Sequence, residues 1–369
     1  MKILVTGAKG FLGKNLIAEL KNRGYRELLC YDCDSDPSLL DIFTAECEFV
    51  FHLAGVNRPK DTNEFIQGNF EFTSRLIDCL KRNKNKAPIV VSSSIQAVKD
   101  NPYGASKKAG EDALFDYAAD SGAKVMIYRL QNVFGKWSRP NYNSVVATFC
   151  NNIAHSLPIQ INDLEAKLNL IYIDDVVNEF IRALEGKANY FGNFCRVEPV
   201  YEVTLGELSK RIYSFKESRE NLFIPDFSDD FTKKLYSTYL SYLPQDEFSY
   251  QLTPHTDHRG SFTEFIKTSD FGQVSVNVSV PGVTKGNHWH HTKNEKFLVV
   301  SGSGIIQFRR VGDENVISYP VRSDRLTVVD IPCGYTHSIT NTGDGDLVTI
   351  MWASEPFDKD NPDTYYMEV

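Results

Sequence analysis

Residues 282–302, GVTKGNHWHHTKNEKFLVVSG, set His288, His290 and Glu295 at H-x-H-x4-E spacing between Gly282 and Gly302. Further on comes Pro332-x-Gly334-x-x-His337-x-x-x-Asn341. On a strand, His288 and His290 are two apart and point to the same face. A second strand can bring Glu295 alongside them and a third can deliver His337. A chain with this pattern is therefore constrained to a fold in which those strands converge. Three imidazoles and one carboxylate form a borderline-hard donor set that suits one divalent ion, Zn2+ above others. The bland alternative is a histidine cluster on a solvated hairpin. Four donors at this spacing, with His337 in a Pro-x-Gly-x-x-His turn, favour the metal.

The ligand run occupies the last third of a 369-residue chain, long enough for two domains that each bury a core. A net charge of −8 and the lack of a dense Lys/Arg run argue against nucleic acid or an anionic membrane as partner. The apolar run 3–5 is too short for a signal peptide, and no apolar stretch is long enough to insert in a membrane. Seven cysteines in a chain of this size point to free thiols and a reducing cytoplasm. Cys30-x-x-Cys33 lacks a second pair and is read as coincidence.

Up to about residue 242, apolar runs at 2–6, 27–31, 49–53, 89–93 and 124–130 alternate with helical stretches such as 12–22 and 70–82. That is the signature of a parallel α/β sheet with helices on both faces. From residue 247 the pattern changes to short strands punctuated by Gly, Pro, Asn and Asp, with runs at 273–280, 297–300, 304–309 and 347–352. These predict an all-β barrel or sandwich. The expected domains are 1–243 and 244–369, with the hinge at Leu243-Pro244-Gln245-Asp246.

Val5-Thr6-Gly7-Ala8-Lys9-Gly10-Phe11-Leu12-Gly13 closes the first predicted strand and opens a helix. Gly7, Gly10 and Gly13 provide the tight turn, close backbone approach to a pyrophosphate and close helix–strand contact, with Lys9, Phe11 and Leu12 beside them. The run resembles the short-chain dehydrogenase/reductase family, in the extended branch that acts on nucleotide sugars, and predicts a Rossmann-type domain. Ser92-Ser93-Ser94 ends a strand and Tyr103-x-x-x-Lys107 opens the next helix. Tyr and Lys four apart share one helix face. The ammonium of Lys107 can bind the nicotinamide ribose and lower the phenol pKa. Tyr103 can then give a proton to a carbonyl oxygen as hydride arrives, with Ser94, or failing it Ser93, bonding that oxygen. His52-Leu53-Ala54-Gly55, Asn69 and Tyr172-Ile173-Asp174-Asp175-Val176 resemble the family's supporting motifs. The short interval from Ser94 to Tyr103 implies a trimmed substrate loop. Asp32 ends the second strand, where an acid pairs with the ribose of NAD. The resemblance implies NADPH instead, with Lys9 or Arg58 taking its 2′-phosphate. NADPH is the expected cofactor and NADH the alternative.

The two histidine motifs resemble those of the cupins, small β-barrels with a metal in the mouth, departing at Leu326 where a Gly is expected. Asp257-x-Arg259-Gly260-x-Phe262-x-Glu264, Gly286-Asn287-His288 and Ile331-Pro332-x-Gly334-Tyr335-x-His337 further resemble dTDP-4-dehydrorhamnose 3,5-epimerase. That family moves a proton beside a ketone, with a histidine base at the position of His288 and a lysine near substrate at the position of Lys296. It needs no metal, and its tyrosine acid falls near Met351-Trp352. If His288 is a ligand, Lys296, His291 and Tyr335 become the base candidates, with Lys296 put forward. A metal could then act as Lewis acid on the C4 oxygen, or it could only stabilise the barrel.

A reductase joined to an epimerase-like cupin resembles the bifunctional capsular polysaccharide enzymes that make UDP-2-acetamido-2,6-dideoxy-L-talose, on the route to UDP-N-acetyl-L-fucosamine. The implied substrate is a UDP-linked 4-keto-6-deoxy amino sugar, epimerised at C3 and then reduced at C4, by a homodimer paired through its cupin sheets. The alternative is a one-step 4-ketoreductase whose cupin is a structural or dimerisation module. A 4,6-dehydratase is disfavoured, because Ser94 stands where a Thr is needed and no acidic residues follow it.

Overall fold

The computed structural model describes residues 1–59, 61–360 and 362–369. The chain forms two compact units: Met1–Tyr213 with Lys234–Pro244, and Ser214–Lys233 with Gln245–Val369.

In the first unit, β1 (Ile3–Thr6), β2 (Leu28–Tyr31), β3 (Phe49–His52), β4 (Ile89–Ser94) and β5 (Val125–Leu130) lie parallel in the order β2-β1-β3-β4-β5. Two short strands, Phe194–Cys195 and Tyr190–Phe191, extend the edge beyond β5. Every residue of β1 and β3 is buried, as expected of a parallel strand covered on both faces. Alternation sends Ile3 and Val5 into one core with Leu16, Leu20 and Phe180, and Leu4 into another with Leu40, Leu76 and Leu114. Helices thus cover both faces. Because β1 lies between β2 and β3, chain connections run in opposite directions from the carboxyl ends of β1 and β3. A crevice for ligand opens at such a switch point. The expected helix at 70–82 begins at Phe72 and is preceded by a π-helix, Ile66–Glu71. Such wide turns are frequent at functional sites.

The second unit carries two antiparallel sheets, consistent with a cupin-type barrel. One has six strands in the order His255–Asp257, Gly260–Thr268, Gly272–Ser279, Leu347–Ala353, Glu295–Ser301, Val328–Ile331. The other has five, in the order Val316–Arg322, Ser303–Arg310, Tyr335–Asn341, Thr284–Trp289, Tyr365–Tyr366. Phe297, Val299, Ile306, Phe308, Ile339 and Leu347 fill the space between them. No helix among the described residues is long and apolar enough to cross a membrane. All seven cysteines are free.

A buried ion pair braces the first sheet next to the crevice. Arg129 of β5 meets Glu111 at 2.6 Å, with the carboxylate side chain 1 % exposed and the guanidinium side chain 22 %. Ser93 donates to the same carboxylate at 2.5 Å. Arg129→Met strands that charge and is expected to cost about 3 kcal/mol in urea denaturation, whereas Glu111→Gln together with Arg129→Met costs less. A single variant as stable as the parent would contradict this account.

Candidate functional site

The turn after β1 can exist only with glycines. Gly7 has φ +69°, and a Cβ there would lie 2.7 Å from the backbone nitrogen of Ala54. A Cβ on Gly13 would lie 2.2 Å from the carbonyl oxygen of Gly7. The chain ends of β1 and β3 are therefore in contact, and α1 (Phe11–Asn22) starts close against them. Gly10 caps α1 without a side-chain bond, and no acid occupies its first turn, so its N–H groups and dipole are open to phosphate. Asp32 accepts the backbone N–H groups of Lys9 at 2.7 Å and Cys33 at 2.8 Å. The Lys9 ammonium pairs with Asp34.

A cavity of about 780 Å³ runs from this turn, with Lys9, Phe11 and Leu12, past Leu53 to Ser94, Tyr103 and Lys107. Ala54 and Asp32 do not line it; they back the glycine turn. Asn101 caps the helix Pro102–Ser121 by accepting the N–H of Gly104 at 2.8 Å, which sets Tyr103 in the first turn. Burial raises the Tyr103 pKa and a hydrogen bond from Ser94 offsets part of that. Ser93, the fallback for Ser94, is committed to Glu111. Asn69 ties the loop after β3 to this helix, accepting the Val56 N–H and donating to Ser106, each at 3.0 Å. His52 bridges Thr6 and Thr73 at 2.8 and 2.9 Å, and burial pushes its pKa down to about 3, so it is a neutral brace.

The second constellation lies between the two sheets of the C-terminal unit. His288 and His337 are directly paired on neighbouring strands, with an irregularity between Gly286 and His288. Glu295 opens the facing strand and His290 follows the end of its own. One ligand atom from each of the four residues lies within 4.8 Å of all the others. Glu295 Oε2 is 3.4 Å from His290 Nε2 and 3.3 Å from His337 Nε2. Yet Glu295 Oε2, His290 Nε2 and both ring nitrogens of His337 are buried without a hydrogen-bond partner. Convergent, unsatisfied lone pairs are what a divalent cation requires, so the residues fit one. Burial, helped by His337, lowers His288 to about 4, leaving it neutral as a ligand must be. Burial alone would raise Glu295, but the imidazoles of His290 and His337 close beside it hold it well below the carboxylate range.

A cavity of about 700 Å³ reaches His288, Glu295 and His337 and is lined also by Arg259, Lys285 and Lys293. The base candidates named from the sequence lie elsewhere. Strand alternation puts Lys296 on the outer face, opposite to Glu295, and its ammonium pairs with Asp330. His291 is exposed between the rings of Trp289 and Tyr365, at 4.5 and 4.9 Å. Tyr335 packs beside the apolar core. Lys285 and Lys293, which do face the cavity, lie inside the run 282–302 but at positions between its motif residues, so the spacing gave them no role.

Residues 3–191 match the NAD dependent epimerase/dehydratase family and residues 255–365 the polysaccharide biosynthesis C-terminal domain. The chain is therefore a member of the NAD dependent epimerase/dehydratase family, of the CapF type in which that unit is joined to the second domain. The capsular polysaccharide assembling protein CapF from Staphylococcus aureus is 53 % identical with a TM-score of 0.95, each chain being covered in full. A UDP-2-acetamido-2,6-beta-L-arabino-hexul-4-ose reductase from Pseudomonas aeruginosa is 46 % identical over all of this chain and 99 % of its own. A dTDP-4-dehydro-6-deoxyglucose reductase from Escherichia coli is 27 % identical over 56 % of this chain and 77 % of its own.

The buried Lys107 generates a stability prediction. Burial lowers its pKa from 10.5 to about 8, with Glu111 pulling the other way. Between those values the unfolded chain holds a proton that the folded chain has released, so stability rises with pH across that window. Below about pH 8 the cost of the buried charge is fully present. Lys107→Met should therefore be more stable than the parent by roughly 2–3 kcal/mol at pH 7, with the difference shrinking by pH 10. Paired thermal melts at the two pH values test this; no gain at pH 7 would contradict it.

Proposed function

We propose that this chain is a two-step nucleotide-sugar enzyme. Its C-terminal unit epimerises C3 of a UDP-linked 4-keto-6-deoxy-HexNAc, and its N-terminal unit then reduces C4 with NADPH. The product is UDP-2-acetamido-2,6-dideoxy-L-talose, for capsular polysaccharide. The observation that carries the reductase half is the grouping of Ser94, Tyr103 and Lys107 in one cavity with the glycine turn. The names of the CapF and hexul-4-ose reductase relatives support it. The catalytic roles are Tyr103 as proton donor to the C4 oxygen, Ser94 as its hydrogen-bond partner and Lys107 as the cation holding the nicotinamide ribose. When bound, NADPH supplies the hydride. Gly7, Gly10 and Gly13 would admit its pyrophosphate, and Lys9 would have to exchange its pairing with Asp34 to meet a 2′-phosphate. The engagement of Asp32 with two backbone N–H groups supports NADPH over NADH.

In the C-terminal unit, His288, His290, Glu295 and His337 hold one divalent ion, Zn2+ by its donor set. When bound, such an ion supplies Lewis-acid polarisation of a carbonyl oxygen. Lys285 and Lys293 give the cavity positive charge suited to an anionic nucleotide sugar, while the Arg259 charge is offset by Asp257 at 2.6 Å. Chemistry fixes the order of steps, because the C3 proton is acidic only while C4 is a ketone. Reduction then traps the epimer. An edge strand, Val316–Arg322, that exposes Val316, Ile317 and Tyr319 supports a homodimer. The outward orientation of Lys296 favours a second reading, in which the C-terminal unit is a structural metal module beside a one-step 4-ketoreductase.

The readings part in D2O. Full-length protein with the 4-keto sugar and no nicotinamide should wash deuterium into C3, and chelator treatment or His290→Ala with His337→Ala should stop it. Tyr103→Phe should keep that exchange while losing ~10²–10⁴-fold in NADPH oxidation. Metal-loaded protein that exchanges nothing would leave only the structural reading. Full NADPH turnover by Tyr103→Phe would remove the reductase assignment.

A further inference from the structure

We propose that Asp363 is the positioning residue of the four-ligand centre. This rests on reading that cluster as a metal site. The carbonyl oxygen of Asp363 receives Nδ1 of His290. That bond puts the ring proton on Nδ1 and leaves the Nε2 lone pair facing Glu295 Oε2, 3.4 Å away. The carboxylate of the same residue accepts three successive backbone N–H groups, from His291 at 2.9 Å, Thr292 at 2.8 Å and Lys293 at 2.9 Å. It also accepts the Thr292 hydroxyl at 3.1 Å. These groups form the turn that separates His290 from Glu295. A single residue thus fixes both the direction of one ligand and the span to the next.

Asp363 is itself secured by the strand Tyr365–Tyr366, which pairs with Thr284–Trp289 so that His288 faces Tyr366. The Met367 N–H adds a bond to the Asn287 carbonyl at 2.9 Å. The segment 363–369 therefore runs along the strand that carries His288 and reaches over the end that carries His290. Hydrogen bonds to an ionised acceptor are shorter and stronger than neutral ones, and three consecutive amides converging on one carboxylate leave the turn little freedom. Partners of this kind to a ligating histidine tune metal affinity by roughly 10–100-fold.

The test uses the full chain and Zn2+ alone, in competition with a chromophoric chelator, together with 15N NMR of histidine-labelled protein. Asp363→Ala should raise the Kd for Zn2+ by about 10–100-fold and broaden the single Nδ1–H form of His290, with Asp363→Asn in between. Far-UV circular dichroism checks folding, and Asp363→Asn decides if the alanine variant does not fold. A parent that binds Zn2+ while both variants bind within twofold, with unchanged His290 signals, overturns the inference alone. A parent that takes up no Zn2+ overturns the metal reading as well.

Discussion

The C-terminal unit is organised around one carboxylate that has no ordinary partner. Glu295 lies in the barrel interior, 8 % exposed, with two imidazole nitrogens within 3.4 Å. Burying an ion costs several kcal/mol unless it is compensated, and the neutral face of an imidazole compensates weakly. The arrangement makes sense if a cation completes it. The glycine-framed turns, the pairing of His288 with His337 and the strap at 363–369 all hold donors in place that would otherwise repel or collapse. The two units differ chemically. The first presents a helix N-terminus and a phenol–ammonium pair, suited to a phosphate-bearing hydride donor. The second presents lone pairs, suited to a Lewis acid.

The fold was readable to a high degree because its signals are local. The five parallel strands begin or end within one residue of the apolar runs, since strands covered on both faces are mostly apolar along their length. The glycine spacing and the Tyr-x-x-x-Lys pair were equally plain, as each depends on residues within one turn of helix or one tight loop. The start of the helix at 72 was less so, because a π-turn at 66–71 uses the same residue types as an α-helix. Segment 214–233 groups with the C-terminal unit, an association that no composition shift announces.

The convergence of His288, His290, Glu295 and His337 was legible, but its surroundings were not. Period-two alternation already implied that Lys296 must point away from Glu295, its immediate neighbour on a strand; the family resemblance obscured that elementary fact. Asp363 had no signal at all. It is one of three aspartates in 358–363, about seventy residues from the turn it holds, and only the return of the chain along Thr284–Trp289 brings it there. Lys285 and Lys293 were likewise silent, because cavity lining is a property of closure rather than of spacing.

His288, His290, Glu295 and His337 are proposed to bind a single divalent cation between the two sheets. Anomalous diffraction collected on either side of the zinc edge, from crystals of protein purified without added metal, tests it most directly. One peak per chain is expected, about 2.0–2.2 Å from a nitrogen of each of His288, His290 and His337 and from an oxygen of Glu295. A clear map with no peak there, or a peak bound by surface residues with Glu295 and the three imidazoles hydrogen-bonded to one another, would contradict it.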